Sequence, residues 1–345
     1  MLEETLLDLG YDRLTAWLKK HGEPAYRAKQ IWTALYCDLV ETPNEMTTLP
    51  LTLRGSLAES FAPWQEAIVD EQRSADRRTL KALLRLQDGQ TIESVLMRYA
   101  DRQTVCVSTQ VGCAMGCAFC ATGRSGFVRD LASGEIIAQV LWAARAAKRR
   151  GARLTNVVYM GMGEPFANYE ATIASLRRLN DPRGFGLGAR SFTVSTVGLV
   201  PGIDRFADEP LQANLAVSLH SADDETRRRL IPSGETYPVS EILDACRRYI
   251  AKTNRRVTFE VALIDGVNDS LQDAETLARR LRGLLCHVNV IPLNPSPGIG
   301  WRPSLPQAVE PFAEHLNKAG IPTTVRRSMG AEIRAGCGQL RGRTR

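Results

Sequence analysis

The sequence predicts an α/β fold, a partial (β/α)6 barrel with a small N-terminal helical domain. From about Leu80 onward, short β-rich runs alternate with amphipathic helical stretches, and strand followed by helix recurs about six times. This order predicts parallel strands joined by right-handed crossovers. Six units are fewer than the eight of a closed barrel. The runs suited to buried strands are Val105–Ser108, Asn156–Met160, Phe192–Ser195, Leu215–Leu219, Val257–Leu263, Val288–Leu293 and Thr323–Val325.

Residues 1 to about 75 contain no long β-branched run and are predicted to form the helical domain. Two apolar faces at helical spacing support this prediction. The residues that mark them are Leu14, Trp17 and Leu18 on one face and Ile31, Trp32, Leu35 and Tyr36 on the other.

Residues 76–98 are predicted to form a hairpin that leads into the barrel. KALLRLQDG and TIESVLMRY, within Leu80–Tyr99, flank the turn signal Asp88-Gly89. The barrel itself is expected to span residues 99–332, followed by a C-terminal loop and basic tail over residues 333–345. Ser133 is the predicted N-cap of the first barrel helix. The predicted helices are Glu135–Arg150, Ala171–Leu179, Ser240–Ala251 and Ala274–Leu284.

Composition and charge narrow the class of protein. Lys and Arg number 44 against 38 Asp and Glu, a surplus of six that permits a nucleic-acid partner without proving one. No run of 18 apolar residues occurs, and the N-terminus, MLEETLLDLGYD, is acidic where a signal peptide carries positive charge. We therefore expect a cytoplasmic protein that does not enter membranes, and a monomer.

Three of the eight cysteines, Cys113, Cys117 and Cys120, form a C-x3-C-x2-C loop directly after the first barrel strand. Eight cysteines could pair as disulfides in a secreted protein, but that pattern belongs to short chains. Thiolates suit zinc or iron–sulfur clusters. Structural zinc usually takes two separated ligand pairs, and no second pair or nearby His is present. A [4Fe–4S] cluster held by three cysteines leaves one iron free for a small molecule.

This loop resembles that of radical S-adenosylmethionine (SAM) enzymes. The resemblance implies that the open iron binds SAM and that the reduced cluster cleaves it to a 5′-deoxyadenosyl radical. Gly161-Met-Gly163-Glu164-Pro resembles the superfamily's GEP segment, whose carboxylate can pair with the SAM ammonium; a tight turn is the alternative. Other polar groups end later strands, and a structural hydrogen bond is the alternative for His220. The predicted SAM contacts are Gly163, Glu164, Ser195, Ser218, Leu219, His220 and Asn294.

Two further cysteines narrow the resemblance. Cys106-Val-Ser-Thr-Gln-Val-Gly-Cys113 and Ala335-Gly-Cys337-Gly-Gln-Leu are similar to the RlmN and Cfr family of radical SAM RNA methyltransferases, over about Glu93 to Leu340. The resemblance implies that Cys337 carries a methyl group, that its methylene radical joins adenine, and that Cys106 resolves the adduct as a disulfide. Glu93 is implied as proton acceptor; a solvent-facing strand residue is the alternative. Cys37, Cys246 and Cys286 are expected to pack.

The implied substrates are 23S ribosomal RNA and transfer RNA, with flavodoxin or ferredoxin as electron donor. Methylation at adenine C2 is favoured over C8 because Gly188–Gly198 and Ile291-Pro-Leu-Asn-Pro look closer to the RlmN pattern. A radical SAM enzyme of another class, which would not need Cys106 and Cys337, and a zinc-stabilised RNA-binding module remain alternatives. The candidate RNA-contacting residues are Arg145, Lys148, Arg149, Arg150, Arg153, Arg326, Arg327, Arg334, Arg341, Arg343 and Arg345, and the first five could equally form a solvated helix face.

Overall fold

The computed structural model describes residues 4–64, 67–232, 237–326 and 328–342, and these residues build one mixed α/β domain around a ten-stranded sheet. In order across the sheet, the strands are β1 (Ala67–Arg73), β2 (Thr79–Arg85), β3 (Thr91–Arg98), β4 (Gln103–Cys106), β7 (Asn156–Tyr159), β8 (Phe192–Thr196), β9 (Asn214–Ser218), β10 (Val257–Leu263), β11 (Cys286–Pro292) and β12 (Thr323–Val325). A separate antiparallel pair consists of β5 (Gln110–Gly112) and β6 (Phe127–Asp130).

Seven strands of the main sheet are parallel: β4, β7, β8, β9, β10, β11 and β12. A helix lies between each of these strands and the next one along the chain, as the sequence predicts. Each of these parallel strands lies within two residues of its predicted run. The α/β class is confirmed, whereas the partial barrel remains a prediction. The helices in the described ranges are α1 (Tyr11–Lys20), α2 (Arg27–Thr33), α3 (Leu51–Ser60), α4 (Ala121–Arg124), α5 (Ser133–Lys148), α6 (Tyr169–Asn180), α7 (Val200–Ala207), α8 (Asp224–Leu230), α9 (Val239–Thr253), α10 (Leu271–Leu281) and α11 (Pro306–Lys318).

Four of these helices were not predicted: α4, α7, α8 and α11. Helices α7 and α8 are only eight and seven residues long, too short to show a full apolar stripe. Helix α11 begins with Pro306 and contains Pro311, and proline inside a run is a sequence signal against a helix.

The N-terminal region is helical through α3, with Leu14, Leu18, Ile31 and Trp32 buried in its core as predicted. The prediction of helix up to about residue 75 is wrong at its end, because β1 covers Ala67–Arg73. This strand pairs with β2 at the edge of the main sheet, and its side chains are exposed or half-buried. An edge strand without a buried face gives no alternating apolar pattern.

The predicted hairpin is confirmed as β2 and β3, which pair antiparallel across the Asp88-Gly89 turn. Strand β3 also pairs antiparallel with β4, so the hairpin extends the parallel sheet directly. The register places Val95 opposite Cys106 and Leu83 opposite Glu93. The hairpin therefore brings Glu93 to the strand next to the one that ends in Cys106.

The N-terminus of α5 corrects the predicted cap at Ser133, since Ala132 is the N-cap residue. The Glu135 carboxylate accepts the Ala132 N–H at 2.8 Å. Asp8 of the N-terminal region accepts the Gly134 N–H at 2.7 Å. A Cβ on Gly134 would lie 2.7 Å from the Asp8 carboxylate, so this close approach requires glycine. The helical region is therefore joined to the sheet domain at the start of its longest helix.

Candidate active site

The three-cysteine loop runs from β5 to β6 and is held at both ends. The Cys113 N–H donates to the Gly126 carbonyl at 2.8 Å, and a Cβ on Gly112 would overlap that carbonyl. The Ala118 N–H donates to the Leu230 carbonyl at the end of α8 at 2.9 Å. These contacts bury Cys113 and Cys117 and leave Cys120 half-buried, with all three facing one cavity.

The donor set at this cavity fits an iron–sulfur cluster. Burial raises the pKa of Cys113 to about 12 and holds that of Cys117 well above its usual value, so the bare thiols are neutral and would have to lose their protons to bind a metal. Arg227 is a buried cation whose charge acts in the opposite direction on Cys117, and its Nε atom has no hydrogen-bond partner. Soft thiols beside a buried cation suit an anionic cluster.

The structure does not by itself assign the metal ligands. In the part of the chain that the structure describes, no three His, Cys, Asp or Glu side chains are grouped so as to hold a metal ion. The assignment of Cys113, Cys117 and Cys120 as cluster ligands therefore stays a prediction.

Six of the seven predicted SAM contacts face the same cavity as the three cysteines: Gly163, Glu164, Ser195, Ser218, His220 and Asn294. They follow the ends of neighbouring parallel strands, where reactive groups were expected. Leu219 is different, because its side chain is fully buried in the core and is not among the described residues that face the cavity.

Glu164 joins two loops of the site. Its Oε1 accepts the Phe166 N–H at 3.0 Å and its Oε2 accepts the Val197 N–H at 2.8 Å. Burial nevertheless raises the pKa of Glu164 to about 7. Each carboxylate oxygen can accept a second hydrogen bond, so the carboxylate can still receive one from a ligand in the cavity. Glu164 is thus more than part of a tight turn.

His220 has a structural hydrogen bond, the role weighed as the alternative. Its Nδ1 accepts the Ala262 N–H at 3.1 Å, and its carbonyl accepts from the Asn268 amide at 2.7 Å. Burial lowers the pKa of His220 to about 3, so the ring is neutral. The ring packs edge-on against Phe119, which lies between Cys117 and Cys120 in the sequence. The ring also faces the cavity.

Cys106 and Cys337 meet at a second, smaller cavity. Cys106 is the buried last residue of β4, and Cys337 is exposed on the C-terminal segment, here residues 334–342. Cys337 lines both cavities, as does Cys120 of the three-cysteine loop, so Cys337 faces both Cys106 and the predicted cluster site. Burial raises the pKa of Cys106 to about 12, while nearby Arg326 acts to lower it. Both thiols are free, as are all eight cysteines.

Glu93 faces a third cavity of about 910 Å³, which is wider and more polar. The alternative of a solvent-facing strand residue is wrong, because Glu93 is buried. Its Oε1 lies 2.9 Å from the Lys81 Nζ, and its Oε2 accepts the Arg341 N–H at 2.8 Å. Neither Cys106 nor Cys337 lines this cavity; the C-terminal segment contributes Arg334, Gln339, Arg341 and Gly342 to its wall.

Arg326, singled out from the sequence only as an RNA contact, lies beside Cys337. Three further charged residues near the site were not singled out from the sequence. Lys81 lies beside Glu93, and Arg227 lies near Cys117. Glu260 faces the cluster cavity, and its Oε2 is buried without a hydrogen-bond partner. A signal existed for Glu260 alone, since it is a charged residue inside the apolar strand Val257–Leu263.

The two predicted groups of basic residues make different contacts. In the first, Arg145 forms an ion pair with Glu41 at 2.8 Å, and Lys148 donates to the Asp38 carbonyl at 3.3 Å, so both hold the N-terminal region. In the second, Arg334 and Arg341 line the wide polar cavity beside Glu93. Arg327, Arg343 and Arg345 lie outside the described residues.

A parallel strand–helix sheet with a three-cysteine loop after its first strand defines the class of radical SAM enzymes. The family model for the radical SAM superfamily matches residues 107–280, and a model described as the ribosomal RNA large subunit methyltransferase N-terminal domain matches residues 5–62. The structure superposes on the crystal structure of a radical SAM methyltransferase from Sphaerobacter thermophilus with a TM-score of 0.97 and 53% identity, covering 98% of this chain and 99% of that one.

Curated relatives narrow the class. A probable dual-specificity RNA methyltransferase RlmN of Chloroflexus aurantiacus is 50% identical over 99% of this chain and 94% of its own length. A dual-specificity RNA methyltransferase RlmN of Myxococcus xanthus is 49% identical over 97% of this chain and 94% of its own length. The chain belongs to the RlmN family of radical SAM RNA methyltransferases.

Membership implies a [4Fe–4S] cluster and SAM as cofactors and excludes the alternative of a zinc-stabilised binding module without enzymatic activity. It also shows that the alternative of a radical SAM enzyme of another class is wrong. Among the helices described here, none combines the length and the apolar character that crossing a bilayer requires.

Proposed function

We propose that this enzyme methylates C2 of adenine in 23S ribosomal RNA, and an adenosine beside the anticodon of transfer RNA, through a covalent protein–RNA intermediate. One observation carries the proposal: Cys337 lines both the cavity of the three-cysteine loop and the cavity of Cys106. A thiol between a radical source and a second thiol suits a carrier that is loaded on one side and released on the other. The relatives' dual-specificity name supports the two RNA substrates.

Cys113, Cys117 and Cys120 would hold the cluster, and the cavity beside them would hold SAM against Glu164, Ser195, Ser218, His220 and Asn294. When bound, the cluster and SAM would supply the methyl group and the one-electron chemistry that yields a 5′-deoxyadenosyl radical and later removes the surplus electron of the adduct. Glu164 would receive a hydrogen bond from the SAM ammonium. The neutral His220 ring closes the cavity wall without adding charge.

Cys337 performs the transfer to RNA. Its thiol gives up its proton and takes the methyl group, which would then lose one hydrogen atom to the 5′-deoxyadenosyl radical, and the remaining methylene bonds to the ring carbon. Glu93 then accepts the ring proton, and the C–H electron pair stays on the ring. The Cys106 thiol gives up its proton as its sulfur attacks the Cys337 sulfur, so that an S–S bond forms and the S–CH2 bond breaks. The released methylene keeps the bonding pair and takes a proton to become the methyl group.

The target adenine must leave its base stack to reach Cys337. The wide cavity beside Glu93, with Arg124, Arg334 and Arg341 in its wall, is the proposed entrance for RNA. An electron donor such as flavodoxin or ferredoxin would reduce the cluster, and the enzyme would act as a monomer in the cytoplasm, where its RNA substrates are. The C-terminal segment between this cavity and Cys337 must shift for the base to meet both groups.

Mass spectrometry of nucleosides from RNA treated with the reconstituted enzyme tests the proposal. We expect 2-methyladenosine from both a 23S fragment and a transfer RNA, and none from a Cys337→Ala variant that retains its iron and labile sulfide. Product consisting of 8-methyladenosine alone would overturn the assignment of C2. Full methylation by Cys337→Ala would overturn the covalent route.

A further inference from the structure

Lys81 is a buried lysine directly beside the predicted proton acceptor. It lies on β2, and its side chain and that of Glu93 are only 9% and 11% exposed. Lys81 pairs with Val95 in the register of the hairpin. Val95 lies two residues after Glu93 on β3, so the side chains of Lys81 and Glu93 lie on the same face of the sheet. The Lys81 Nζ lies 2.9 Å from the Glu93 Oε1. A buried carboxylate is tolerated when it is paired, and Lys81 supplies that pairing.

The same two side chains hold both ends of the segment that carries Cys337. The Lys81 Nζ donates to the Arg334 carbonyl at 3.4 Å, three residues before Cys337. The Glu93 Oε2 accepts the Arg341 N–H at 2.8 Å, four residues after Cys337. The Glu93 carboxylate is therefore fixed at both oxygens, one on the hairpin and one on the segment. Removing Lys81 would release the first oxygen and one end of the segment.

We propose that Lys81 is a positioning residue for the removal of the ring proton, an inference that rests on the proposed function of Glu93. In that step the proton moves from the adduct carbon to a Glu93 oxygen, and the ring keeps the electron pair. Lys81 fixes Oε1 and pairs with the carboxylate, so that Glu93 is held in a defined orientation. Lys81 acts through Glu93 and does not itself take the proton.

The inference predicts which step slows when Lys81 is changed. Methylation of Cys337 precedes removal of the ring proton by Glu93, so Lys81→Met should form S-methylcysteine at the wild-type rate. Release of the adduct follows removal of the ring proton, so the covalent protein–RNA species should accumulate. A general loss of structure around the C-terminal segment would instead lower both steps.

The experiment compares variants in anaerobic single-turnover reactions with a transcribed 23S fragment. Adduct is measured on a denaturing gel, and S-methylation of Cys337 is measured by peptide mass spectrometry. We expect both Lys81→Met and Glu93→Gln to hold at least ten times more adduct than wild type, and Lys81→Arg to return toward wild type. Arg85→Met, which removes an exposed charge from the same strand, is the matched control and should behave as wild type.

The outcomes separate this inference from the proposed function. If Glu93→Gln accumulates adduct while Lys81→Met releases it at the wild-type rate, the role of Lys81 is overturned and the covalent route stands. If wild type makes no methylated adenosine and no variant forms an adduct, the proposed function itself fails. Should Lys81→Met not fold, Lys81→Gln, which keeps a hydrogen-bond donor, takes its place under the same two criteria.

Discussion

The Asn294 side chain is bonded to the backbone of Cys337: its Nδ2 donates to the Cys337 carbonyl at 3.0 Å. The same nitrogen donates to the Ser328 Oγ at 2.8 Å. Both hydrogens of the amide therefore hold the region that carries the proposed methyl acceptor, although the sequence indicated Asn294 as a SAM contact. A Cβ on Gly336 would lie 2.9 Å from the Asn294 side chain, so the backbone at Gly336 and this side chain approach each other closely.

Asn294→Ala should therefore slow the loading of Cys337. Each lost hydrogen bond is worth about 1 kcal/mol, which corresponds to a reduction of roughly 30-fold for the pair if it is fully expressed in the rate. Peptide mass spectrometry of S-methylcysteine formation measures this, with Asn317→Ala, at the distant end of α11, as control. Saturating SAM should not restore the rate. Complete rescue by SAM would show that Asn294 acts on SAM binding alone.

Asp8→Ala should weaken the attachment of the N-terminal region to α5. The change removes the acceptor for the Gly134 N–H and for the Thr5 backbone and hydroxyl. Loss of a helix cap costs about 1 kcal/mol, which lowers the midpoint of thermal unfolding by about 1–2 °C in a chain of this size. Differential scanning calorimetry measures the midpoint. Glu59→Ala, an exposed change in the same region, should leave it in place, and equal midpoints for wild type and Asp8→Ala would refute the cap.

His220 should make the protein without cofactors less stable in acid. Burial lowers its pKa to about 3 in the folded state from the usual 6.5, so the unfolded chain binds more protons between these values. The contribution of His220 is complete above pH 6.5 and is lost as the pH falls toward 3, by at most about 1.4 kcal/mol per pH unit. Urea unfolding at pH 7, 6 and 5 measures the slope. His220→Gln, which stays neutral, should fall less steeply; parallel slopes for the two proteins would rule this out.

The parallel strands and the cysteine loop could be predicted because their signals are local. The run Val257–Leu263 is β-rich and apolar except at Thr258 and Glu260, and it became β10 without a shift at either end. Cys113, Cys117 and Cys120 lie within eight residues, so their spacing alone brings them to one loop. Cys337 was found through its flanking motif, since nothing local in the sequence places it beside Cys106.

The parts that escaped prediction depend on contacts between distant residues. Asp8 and Gly134 are 126 positions apart, and no local pattern shows that one caps the helix of the other. In the sequence, Glu93 has the pattern of a solvent-facing residue of a strand. It is buried because the C-terminal segment covers it and Lys81 pairs with it. Strand β1 is polar because it pairs at an edge, so its sequence does not distinguish it from the helices before it.

The central claim is that Cys337 joins RNA covalently and that Cys106 releases it. The most direct measurement is mass spectrometry of a Cys106→Ala variant after anaerobic reconstitution and reaction with SAM and a transcribed 23S fragment. We predict a stable species in which the Cys337 peptide carries an adenosine through one methylene, with little free 2-methyladenosine. Turnover at the wild-type rate without any such species would contradict the account.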